Sequence, residues 1–292
     1  MSALAGTVGT PVREAEGRGM GSSVAYVTFA DPDGHDDERE TVLAAWAEAG
    51  IAGRAVRWDD PEADWGSFQA AVVRSTWDYV RRRAEFTAWA HRAAGLTRLL
   101  NPAPVIERNT DKTYLRELGV PVVPTHWTDT GLPLWDEYVV KPAISAGARD
   151  TIRTADREEA ARHAAALRSG GRTPMIQPYL PMVEAEGETS LVYFGRVFSH
   201  AVRRSAMLSG SAAGVDNVRA ALRDPAPDQL ELAGRVLAGI PGDLLYARVD
   251  LVRLAGGEPA LMELELTEPY LYLRWAPGSA DRLAAALKAL LT

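Results

Sequence analysis

The sequence predicts an α/β protein with α+β lobes, in which an N-terminal parallel-sheet lobe precedes a small central lobe and a C-terminal antiparallel-sheet lobe. Two patterns indicate this fold class. Residues 23–104 alternate short apolar runs with helical stretches, which is typical of a parallel sheet covered by helices. Residues 184–292 contain two pairs of alternating segments with glycine at the centre of each pair, and such pairs form antiparallel hairpins.

Strands of the first lobe are expected at three apolar segments, and ligands of parallel sheets bind at the carboxyl ends of such strands. The segments are SVAYVTFA (23–30), AGRAVRW (52–58) and AAVVRSTWDY (70–79). Helices are expected over 38–49 and 81–95, each ended by glycine, and TRLLNPAPVI (97–106) is expected to close the lobe as a strand with a proline-rich exit. Residues 1–22 have no basic start with an apolar core, so a disordered leader is predicted rather than a secretory signal.

The central lobe is expected to span residues 105–183 and the C-terminal lobe residues 184–292. Predicted central elements are a helix over 108–119, strands at VPVVPTHW (120–127) and EYVVKPA (137–143), a helix over 157–171 and a strand at PMIQPYL (174–180). The last lobe is expected to contain hairpins that turn at Gly195 and at Gly256-Gly257, followed by the helix SADRLAAALKALL (279–291).

Composition excludes several classes of function. A net charge of −7 argues against a nucleic-acid-binding protein and against a protein bound to a membrane surface. No run of apolar residues is long enough for a transmembrane helix. The chain has no cysteine, which excludes disulfides, thiolate metal sites and cysteine nucleophiles. A cytoplasmic enzyme is the expectation.

Lysine is rare in this chain. Of 32 basic residues three are lysine, namely Lys112, Lys141 and Lys288. A lysine ammonium is a compact point charge, so an arginine-rich chain keeps lysine where such a charge is needed, or by chance. Lys288 lies near the end of a predicted helix, where a solvated cation is expected. Lys112 and Lys141 are therefore the candidates for a functional role.

The second hairpin brings charged residues onto one face, and strict alternation places Met262, Leu264 and Leu266 together on the opposite, apolar face. A two-residue turn at Gly256-Gly257 pairs Asp250 with Glu263 and Arg248 with Glu265. Opposed carboxylates repel unless a cation lies between them, and a purely oxygen ligand set suits Mg²⁺ or Mn²⁺. The alternative is a solvated sheet face with cross-strand ion pairs.

Taken in order, the motifs resemble the ATP-grasp superfamily of carboxylate ligases over nearly the whole chain from residue 23. NTDKTYL and YVVKPA are similar to the two lysine segments that contact phosphate, and SAGA to the flexible loop above the phosphates. IQPYL is similar to the hinge that holds adenine, although alone it is also typical of a buried strand ended by proline. EAEGETS is similar to the segment whose acid binds ribose. The ATP contacts that this resemblance implies are Lys112, Lys141, Ser145, Ala146, Gly147, Gln177, Pro178, Tyr179, Leu180 and Glu184, with Glu186 and Glu188 as alternatives for the ribose.

YARVDLV and LMELELTEP are similar to the paired strands that carry the catalytic arginine and the metal ligands of this superfamily. The resemblance implies Arg248 as the catalytic residue, supported by Lys141 and Arg203. It implies that Asp250, Glu263 and Glu265 hold Mg²⁺ or Mn²⁺. The substrate contacts that it implies are Arg74, Ser75, Thr76, Trp77 and Arg204.

Two departures from the superfamily pattern affect the substrate. Glu265 stands where asparagine is usual, and Pro269-Tyr270 follows where Pro-Gly is usual, so the substrates of members such as D-alanine ligases do not transfer. RSTWDY and WDDPEADW (58–65) more narrowly resemble a bacterial subgroup that includes the cyclo-ligase of D-cycloserine biosynthesis, which closes O-ureido-D-serine on itself.

The resemblance implies an ATP- and metal-dependent ligase for a small, amino-acid-like carboxylate. The carboxylate would attack the γ-phosphorus of ATP, and a nitrogen nucleophile would then attack the acyl phosphate. Three alternatives remain at this point: a kinase that phosphorylates a hydroxyl, an intermolecular dipeptide-type ligase, and a nucleotide-binding domain without catalysis. The superfamily resemblance is also compatible with a homodimer.

Overall fold

Residues 23–30, 34–205 and 219–292 are described by the computed structural model, and they form three β-sheets with helices packed against them. The predicted leader at residues 1–22 lies outside the described residues, together with 31–33 and 206–218. The predicted fold class, with an N-terminal parallel-sheet lobe, a small central lobe and a C-terminal antiparallel-sheet lobe, is confirmed. Within the described ranges, no helix is long and apolar enough to cross a membrane.

The first lobe alternates strands and helices as predicted. Its elements are β1 (Ser23–Thr28), α1 (Arg39–Glu48), β2 (Ala52–Arg57), β3 (Ala70–Ser75), α2 (Arg83–Ala94) and β4 (Arg98–Leu100). The four strands form a parallel sheet in the order β2-β1-β3-β4. All six residues of β3 are buried because side chains cover both faces of a parallel sheet. The carboxyl ends of β1 and β3 lie side by side, where Thr28 pairs with Ser75.

The connection to the central lobe differs from the prediction of one helix over 108–119. Helix α3 (Ala103–Asn109) begins earlier, directly after Pro102, and a separate 3-10 turn spans Lys112–Arg116. Proline suits the start of a helix, so the predicted proline-rich exit is in fact a helix N-terminus. The Asp111 side chain accepts a hydrogen bond from the N–H of Thr113 and so begins the second segment.

The central lobe is a three-stranded antiparallel sheet with one helix against it. Its elements are β5 (Tyr138–Pro142), β6 (Ile152–Thr154), α4 (Arg157–Ser169) and β7 (Pro174–Pro178), and the strand order is β6-β5-β7. The strand predicted at 120–127 is wrong, because the segment makes only single bridges at Val122 and His126. Pro121 and Pro124 lack the N–H groups that a continuous ladder requires. Strand β6 was not predicted.

The C-terminal lobe contains the two predicted hairpins in one five-stranded sheet. Its elements are α5 (Met182–Ala185), β8 (Glu188–Phe194), β9 (Val197–Arg204), β10 (Ala220–Leu222), α6 (Pro227–Ala238), β11 (Tyr246–Arg253), β12 (Pro259–Glu265) and α7 (Ser279–Leu291). The strand order is β10-β9-β8-β11-β12. Gly195 and Arg196 both have positive φ, as the first hairpin's tight turn requires. The short strand β10 and the helices α5 and α6 were not predicted.

The second hairpin reaches the predicted pairing by a different turn. The loop is one residue longer than predicted, so Arg253 pairs with Pro259, and a bulge at Met262 then absorbs the extra residue. Beyond the bulge Asp250 pairs with Glu263 as predicted. The bulge also corrects the predicted faces, because Met262 packs in a separate apolar cluster rather than beside Leu264 in the main core.

The first and last lobes share a hydrophobic core. Val24 and Trp46 of the parallel sheet lobe pack with Leu245, Leu283 and other apolar residues of the C-terminal lobe. Asn101, which follows β4, donates to the carbonyls of Tyr246 at 2.9 Å and Leu266 at 2.8 Å and is fully buried. The end of the parallel sheet is therefore fixed against β11 and the residues that follow β12.

Candidate active site

The face of β11 and β12 that was predicted to be charged carries alternating cationic side chains and carboxylates. The Arg248 guanidinium donates to Asp250, with Nε at 2.9 Å and 3.2 Å from the two carboxylate oxygens, and it also donates to Glu265. Arg204 on β9 donates to Asp250 at 2.8 Å and to Glu188 at 2.5 Å. The guanidinium groups therefore separate carboxylates that would otherwise repel each other.

Burial and neighbouring charges set the ionisation of these acids. Burial alone would raise the pKa of Asp250, but Arg204 and Arg248 outweigh it and hold that pKa at about 2. For Glu265 burial outweighs the attraction of Arg248, and the adjacent carboxylates add to it, so the pKa is raised to about 7. The face therefore holds one acid that is firmly ionised and one that titrates near neutral pH.

Two lysines from outside this sheet converge on Glu263. The Lys112 Nζ lies 3.1 Å from the Glu263 carboxylate and donates to the Ser145 carbonyl at 2.7 Å. Burial lowers the pKa of Lys141 on β5, Glu263 opposes that shift and Lys112 adds to it. Burial raises the pKa of Glu263, but Lys112 and Lys141 outweigh it and the net shift is downward. The two predicted phosphate lysines thus meet beside the predicted metal ligands.

The predicted phosphate loop, which includes Ser145, Ala146 and Gly147, follows β5. The Ser145 hydroxyl donates to the Pro142 carbonyl at 3.1 Å, and its own carbonyl holds Lys112. Gly147 has φ of 64° and Ala148 has φ of 56°, so the chain reverses through the left-handed region here. Turns of this kind can present successive N–H groups to an anion, and contact with phosphate stays a prediction.

The predicted adenine hinge lies beside an apolar patch. Gln177 and Pro178 end β7, and the Tyr179 N–H donates to the Glu137 carbonyl at 2.9 Å. Leu180 packs in a cluster with Val123, Val183, Val252, Ala260, Leu254 and Met262. Three of these residues belong to β11 and β12, so the apolar patch continues the strand pair that carries the charges. The bulge residue Met262 was missed by the sequence analysis, because a strict alternation placed it in the core.

The predicted ribose acid and the supporting arginine have other partners. Glu184 accepts a hydrogen bond from the Tyr179 hydroxyl at 2.7 Å and from Arg153 at 2.9 Å, and it is the more exposed alternative to Glu188. Arg203 donates to the carbonyls of Ala185 and Glu186, away from the Arg248 cluster. Neighbours on a strand point to opposite faces, so Arg204 and not Arg203 reaches the charged face.

The predicted substrate segment begins with a buried arginine. Arg74 is 2% exposed, its Nη2 lies 3.1 Å from the Glu38 carboxylate, and it donates to the Pro269 carbonyl at 3.0 Å. The guanidinium also lies 5.1 Å from the centre of the Tyr246 ring. The Nη2 atom of Arg74 therefore has internal partners, whereas its Nε and Nη1 atoms are buried without a hydrogen-bond partner among the described residues, and contact of Arg74 with substrate stays a prediction.

The next residues of this segment are also built into the protein. The Ser75 hydroxyl donates to Asp36 at 2.5 Å, and Thr76 is fully buried with a hydroxyl that has no hydrogen-bond partner within residues 23–30, 34–205 and 219–292. The Trp77 indole N–H donates to the Glu268 carbonyl at 3.4 Å. The segment and residue 268 are therefore neighbours at the boundary between the first and last lobes.

Residues 267–271, which we call the strap, follow β12 without regular secondary structure. Each of its five carbonyl groups accepts a hydrogen bond from the side chain of a different residue. In chain order the donors are Tyr246, Trp77, Arg74, Arg248 and His200. In addition Glu38 accepts from the N–H groups of Leu271 and Leu273, both at 2.9 Å. The strap backbone is therefore held by hydrogen bonds from side chains rather than by strand pairing.

The sequence analysis assigned no role to Glu38 or Glu268. Glu38 lay in a predicted helix start, and its strap partners Leu271 and Leu273 are more than two hundred positions away, so no local pattern marked it. Glu268 follows the alternating stretch that ends at Glu265, and an acid next to a strand was the only signal available for it.

The carboxylates fit a hard divalent cation by their chemistry. Asp250, Glu263 and Glu265 offer oxygen alone, which suits Mg²⁺ or Mn²⁺. Within the described parts of the chain, no three acid, histidine or cysteine side chains are gathered closely enough to hold a metal by themselves. Each of the three acids instead has a cationic side chain as its partner. This arrangement suits a cation that binds together with nucleotide phosphates.

The fold is that of the ATP-grasp ligases, a class of ATP-dependent enzymes. A family described as "D-cycloserine synthetase DcsG, N-terminal domain" matches residues 24–101. The cycloserine biosynthesis protein DcsG of Streptomyces lavendulae is 36% identical to this chain, over 90% of this chain and 97% of that protein. The chain belongs to the DcsG family.

Solved structures agree with this assignment. The crystal structure of D-cycloserine synthetase DcsG matches with a TM-score of 0.84 and 35% identity, covering 92% of this chain and all of that chain. D-alanine–D-alanine ligase from Bacillus anthracis, complexed with ATP, matches with a TM-score of 0.62 and 14% identity, over 91% of this chain and 95% of that chain. The second likeness shows the fold alone.

Proposed function

We propose that this protein activates the carboxylate of O-ureido-D-serine as an acyl phosphate and closes the molecule on itself to form D-cycloserine. The observation that carries the proposal is the likeness to the cycloserine biosynthesis protein DcsG, which extends over both chains almost from end to end. It includes the first lobe, whose strand ends adjoin the charged cluster. The proposed substrate is a small amino acid, and the site offers charges of both signs to such a molecule.

ATP would bind between the central and C-terminal lobes. The apolar patch around Leu180 and Met262 is suited to the adenine ring, and Glu184 is the exposed acid next to the hinge. Lys112 and Lys141 would bind phosphate oxygens, since both already lie near an anionic group, the Glu263 carboxylate. Bound Mg²⁺ or Mn²⁺, held by the acids of β11 and β12, would neutralise charge on the β- and γ-phosphates.

Arg248 would stabilise the charge that develops on the transferred phosphoryl group. Its side chain is 4% exposed and is held by Asp250 and by the Tyr270 carbonyl at 3.1 Å. A donor that is fixed before the reaction does not need to reorganise during it, which is the main source of electrostatic catalysis. Arg204 holds Asp250 from the other side, so we assign it to positioning Arg248 rather than to binding substrate.

The proposed reaction balances as follows. A substrate carboxylate oxygen attacks the γ-phosphorus, which forms the acyl phosphate and releases ADP. The nitrogen bonded to the side-chain oxygen then attacks the acyl carbon, the ring closes, and inorganic phosphate leaves with the former carboxylate oxygen. Removal of the carbamoyl group from that nitrogen consumes one water and releases carbon dioxide and ammonia. Relative to the substrate, D-cycloserine therefore lacks one carbon dioxide and one ammonia.

Product analysis tests this proposal. We expect the protein with ATP, Mg²⁺ and O-ureido-D-serine to form ADP, phosphate and D-cycloserine in equal amounts, and D-serine, which lacks the nitrogen nucleophile, to give no ring. A phosphorylated product without free phosphate would instead identify a kinase. A product of two substrate molecules less one water would identify an intermolecular ligase.

A further inference from the structure

Glu268 differs from the other carboxylates of the site in having no cation as a partner. Asp250, Glu263, Glu265 and Glu188 each form an ion pair with Arg204, Arg248 or Lys112. Among the described residues no cationic side chain forms an ion pair with Glu268. Its Oε2 atom is enclosed by protein and has no hydrogen-bond partner in the part of the chain that the structure describes. An enclosed carboxylate oxygen without a partner is costly, so its presence calls for an explanation.

The backbone around Glu268 is fixed. Its carbonyl accepts from the Trp77 indole, the Pro269 carbonyl accepts from Arg74, and the Thr267 carbonyl accepts from the Tyr246 hydroxyl at 2.8 Å. The backbone position from which the Glu268 side chain extends is therefore fixed. A group that is held in place while its own oxygen lacks a partner is suited to bind something that enters the site.

The surroundings of Glu268 favour a positively charged ligand. Burial, Glu265 and Glu263 all raise the pKa of Glu268, which reaches about 8, while Lys112 opposes the shift. At neutral pH this carboxyl group therefore holds a proton in the substrate-free protein, and a cation bound beside it would favour the ionised form. The Tyr79 hydroxyl lies close enough to the same carboxyl group to lower its pKa. Trp77 and the buried, unpartnered Thr76 hydroxyl belong to the predicted substrate segment. Glu268 thus stands between the charged strand face and the substrate side of the first lobe.

We propose that Glu268 binds the α-ammonium group of the amino-acid substrate and so selects substrates with a free amino group. The inference rests on the proposed function, because it assumes an amino acid whose carboxylate is activated at the strand face. Such a substrate carries one charge of each sign. The substrate carboxylate would lie near the cationic side chains and ATP. The substrate ammonium would bind Glu268, which forms no ion pair with a described cationic side chain. The ammonium is unchanged by the reaction, so Glu268 acts in recognition.

The test compares O-ureido-D-serine with its deamino analogue, in which hydrogen replaces the amino group. Wild-type protein should prefer the amino acid by about 10- to 100-fold in kcat/KM, the range expected for a hydrogen bond between charged groups. Glu268→Gln should raise KM for O-ureido-D-serine, leave KM for ATP unchanged and reduce the preference to nearly one. A Glu268→Gln protein that keeps the full preference would overturn the inference. If this variant does not fold, Glu268→Ala serves for the same comparison.

Matched measurements separate the other roles that Glu268 could have. Tyr79→Phe removes the neighbouring hydroxyl but keeps the carboxylate, so the preference for the amino acid should remain. A purely structural role would lower turnover of both substrates by the same factor. A role as metal ligand would weaken the calorimetric binding of Mg–ADP to Glu268→Gln, and either result would overturn the inference.

Calorimetry also separates failure of this inference from failure of the proposed function. Binding of O-ureido-D-serine and its analogue can be measured with ADP and Mg²⁺ present and without turnover. Wild-type turnover combined with an unchanged preference in Glu268→Gln contradicts the role of Glu268 alone. Wild-type protein that neither binds nor converts O-ureido-D-serine contradicts the proposed function, and the inference with it.

Discussion

The two sides of the site are built by different means. The strand face of β11 and β12 places Arg248, Asp250 and Glu263 by backbone pairing, with cross-strand partners fixed by register. The strap has no strand pairing, and its carbonyl groups are held one by one by side chains from β3, β9, β11 and the 3-10 turn that begins at Trp77. Both are rigid, but only the first kind of rigidity leaves a periodic signal in the sequence.

This difference indicates that the two sides of the site have different functions. The strand face carries a dense set of ion pairs, so its residues suit phosphate and metal, which are shared by all reactions of this class. The strap joins the first lobe to the last through Arg74 and Glu38, and it carries a carboxylate without a cation. We therefore expect changes in the strand face to abolish chemistry, and changes at the strap to alter substrate recognition.

The largest effect is expected for Glu263→Gln. The substitution removes the carboxylate that Lys112 and Lys141 both face, and it removes a proposed metal ligand. We expect kcat to fall by at least about 100-fold, as for loss of a preorganised electrostatic group. Steady-state turnover checks this, with Glu258→Gln in the exposed turn of the same hairpin as the control. An undiminished rate would show that Glu263 is not a metal ligand.

Arg248→Lys is expected to have the next largest effect. A lysine has one compact ammonium and cannot contact Asp250, Glu265 and the Tyr270 carbonyl together as the guanidinium does. We expect kcat to fall by about 100-fold while ADP binding changes little. The control is Arg203→Lys, which should stay within about twofold of wild type because Arg203 faces the other side of the sheet. Equal losses in the two variants would contradict the assignment of faces.

A smaller loss of activity is expected for Glu38→Gln, which tests the strap. The change leaves the buried Arg74 without its counter-charge, and loss of one partner of a buried ion pair typically costs about 3–5 kcal/mol in free energy of unfolding. We expect a lower Tm and a rise in KM for the amino acid of about tenfold, with KM for ATP unchanged. Glu40→Gln, at an exposed position of the same helix, is the control. A change confined to ATP binding would show that the strap does not govern substrate recognition.

The smallest effect concerns the pH dependence of stability. Burial raises the pKa of Glu265 from 4.5 to about 7, so between these values the folded state binds more protons than the unfolded state. Stability of the nucleotide-free protein should therefore increase as pH falls from about 7 toward 4.5, and this contribution is lost as pH rises. Thermal unfolding of Glu265→Gln should show a weaker dependence in that window. An identical dependence in both proteins would contradict the buried position of the acid.

The pairing of Asp250 with Glu263 was predicted correctly, although the predicted turn of the hairpin was one residue too short. Asp250 faces Glu263 although the loop is longer than predicted, because the bulge at Met262 restores the register. Alternation predicts which residues share a face over a short strand, and a bulge breaks it where the backbone bends. That is why Met262 was assigned to the core and is found in the apolar cluster near the hinge.

The strap and the segment at residues 120–127 show what could not be predicted. Strap residues are positioned by contacts such as Arg74 with Pro269 and Glu38 with Leu271, which join positions nearly two hundred or more residues apart. No local periodicity records such contacts. In the second segment the apolar pattern suggested a strand, but its prolines limit it to single bridges. The buried contact of Arg74 with Pro269 could not be predicted for the same reason, because the two residues are far apart in the sequence.

Transfer of an oxygen label tests the central claim most directly. The claim is that the carboxylate of O-ureido-D-serine is activated by attack on the γ-phosphorus before the ring closes. With ¹⁸O in both carboxylate oxygens, we predict one labelled oxygen in each phosphate released and one retained in D-cycloserine. Phosphate without label, formed together with product, would contradict activation through an acyl phosphate.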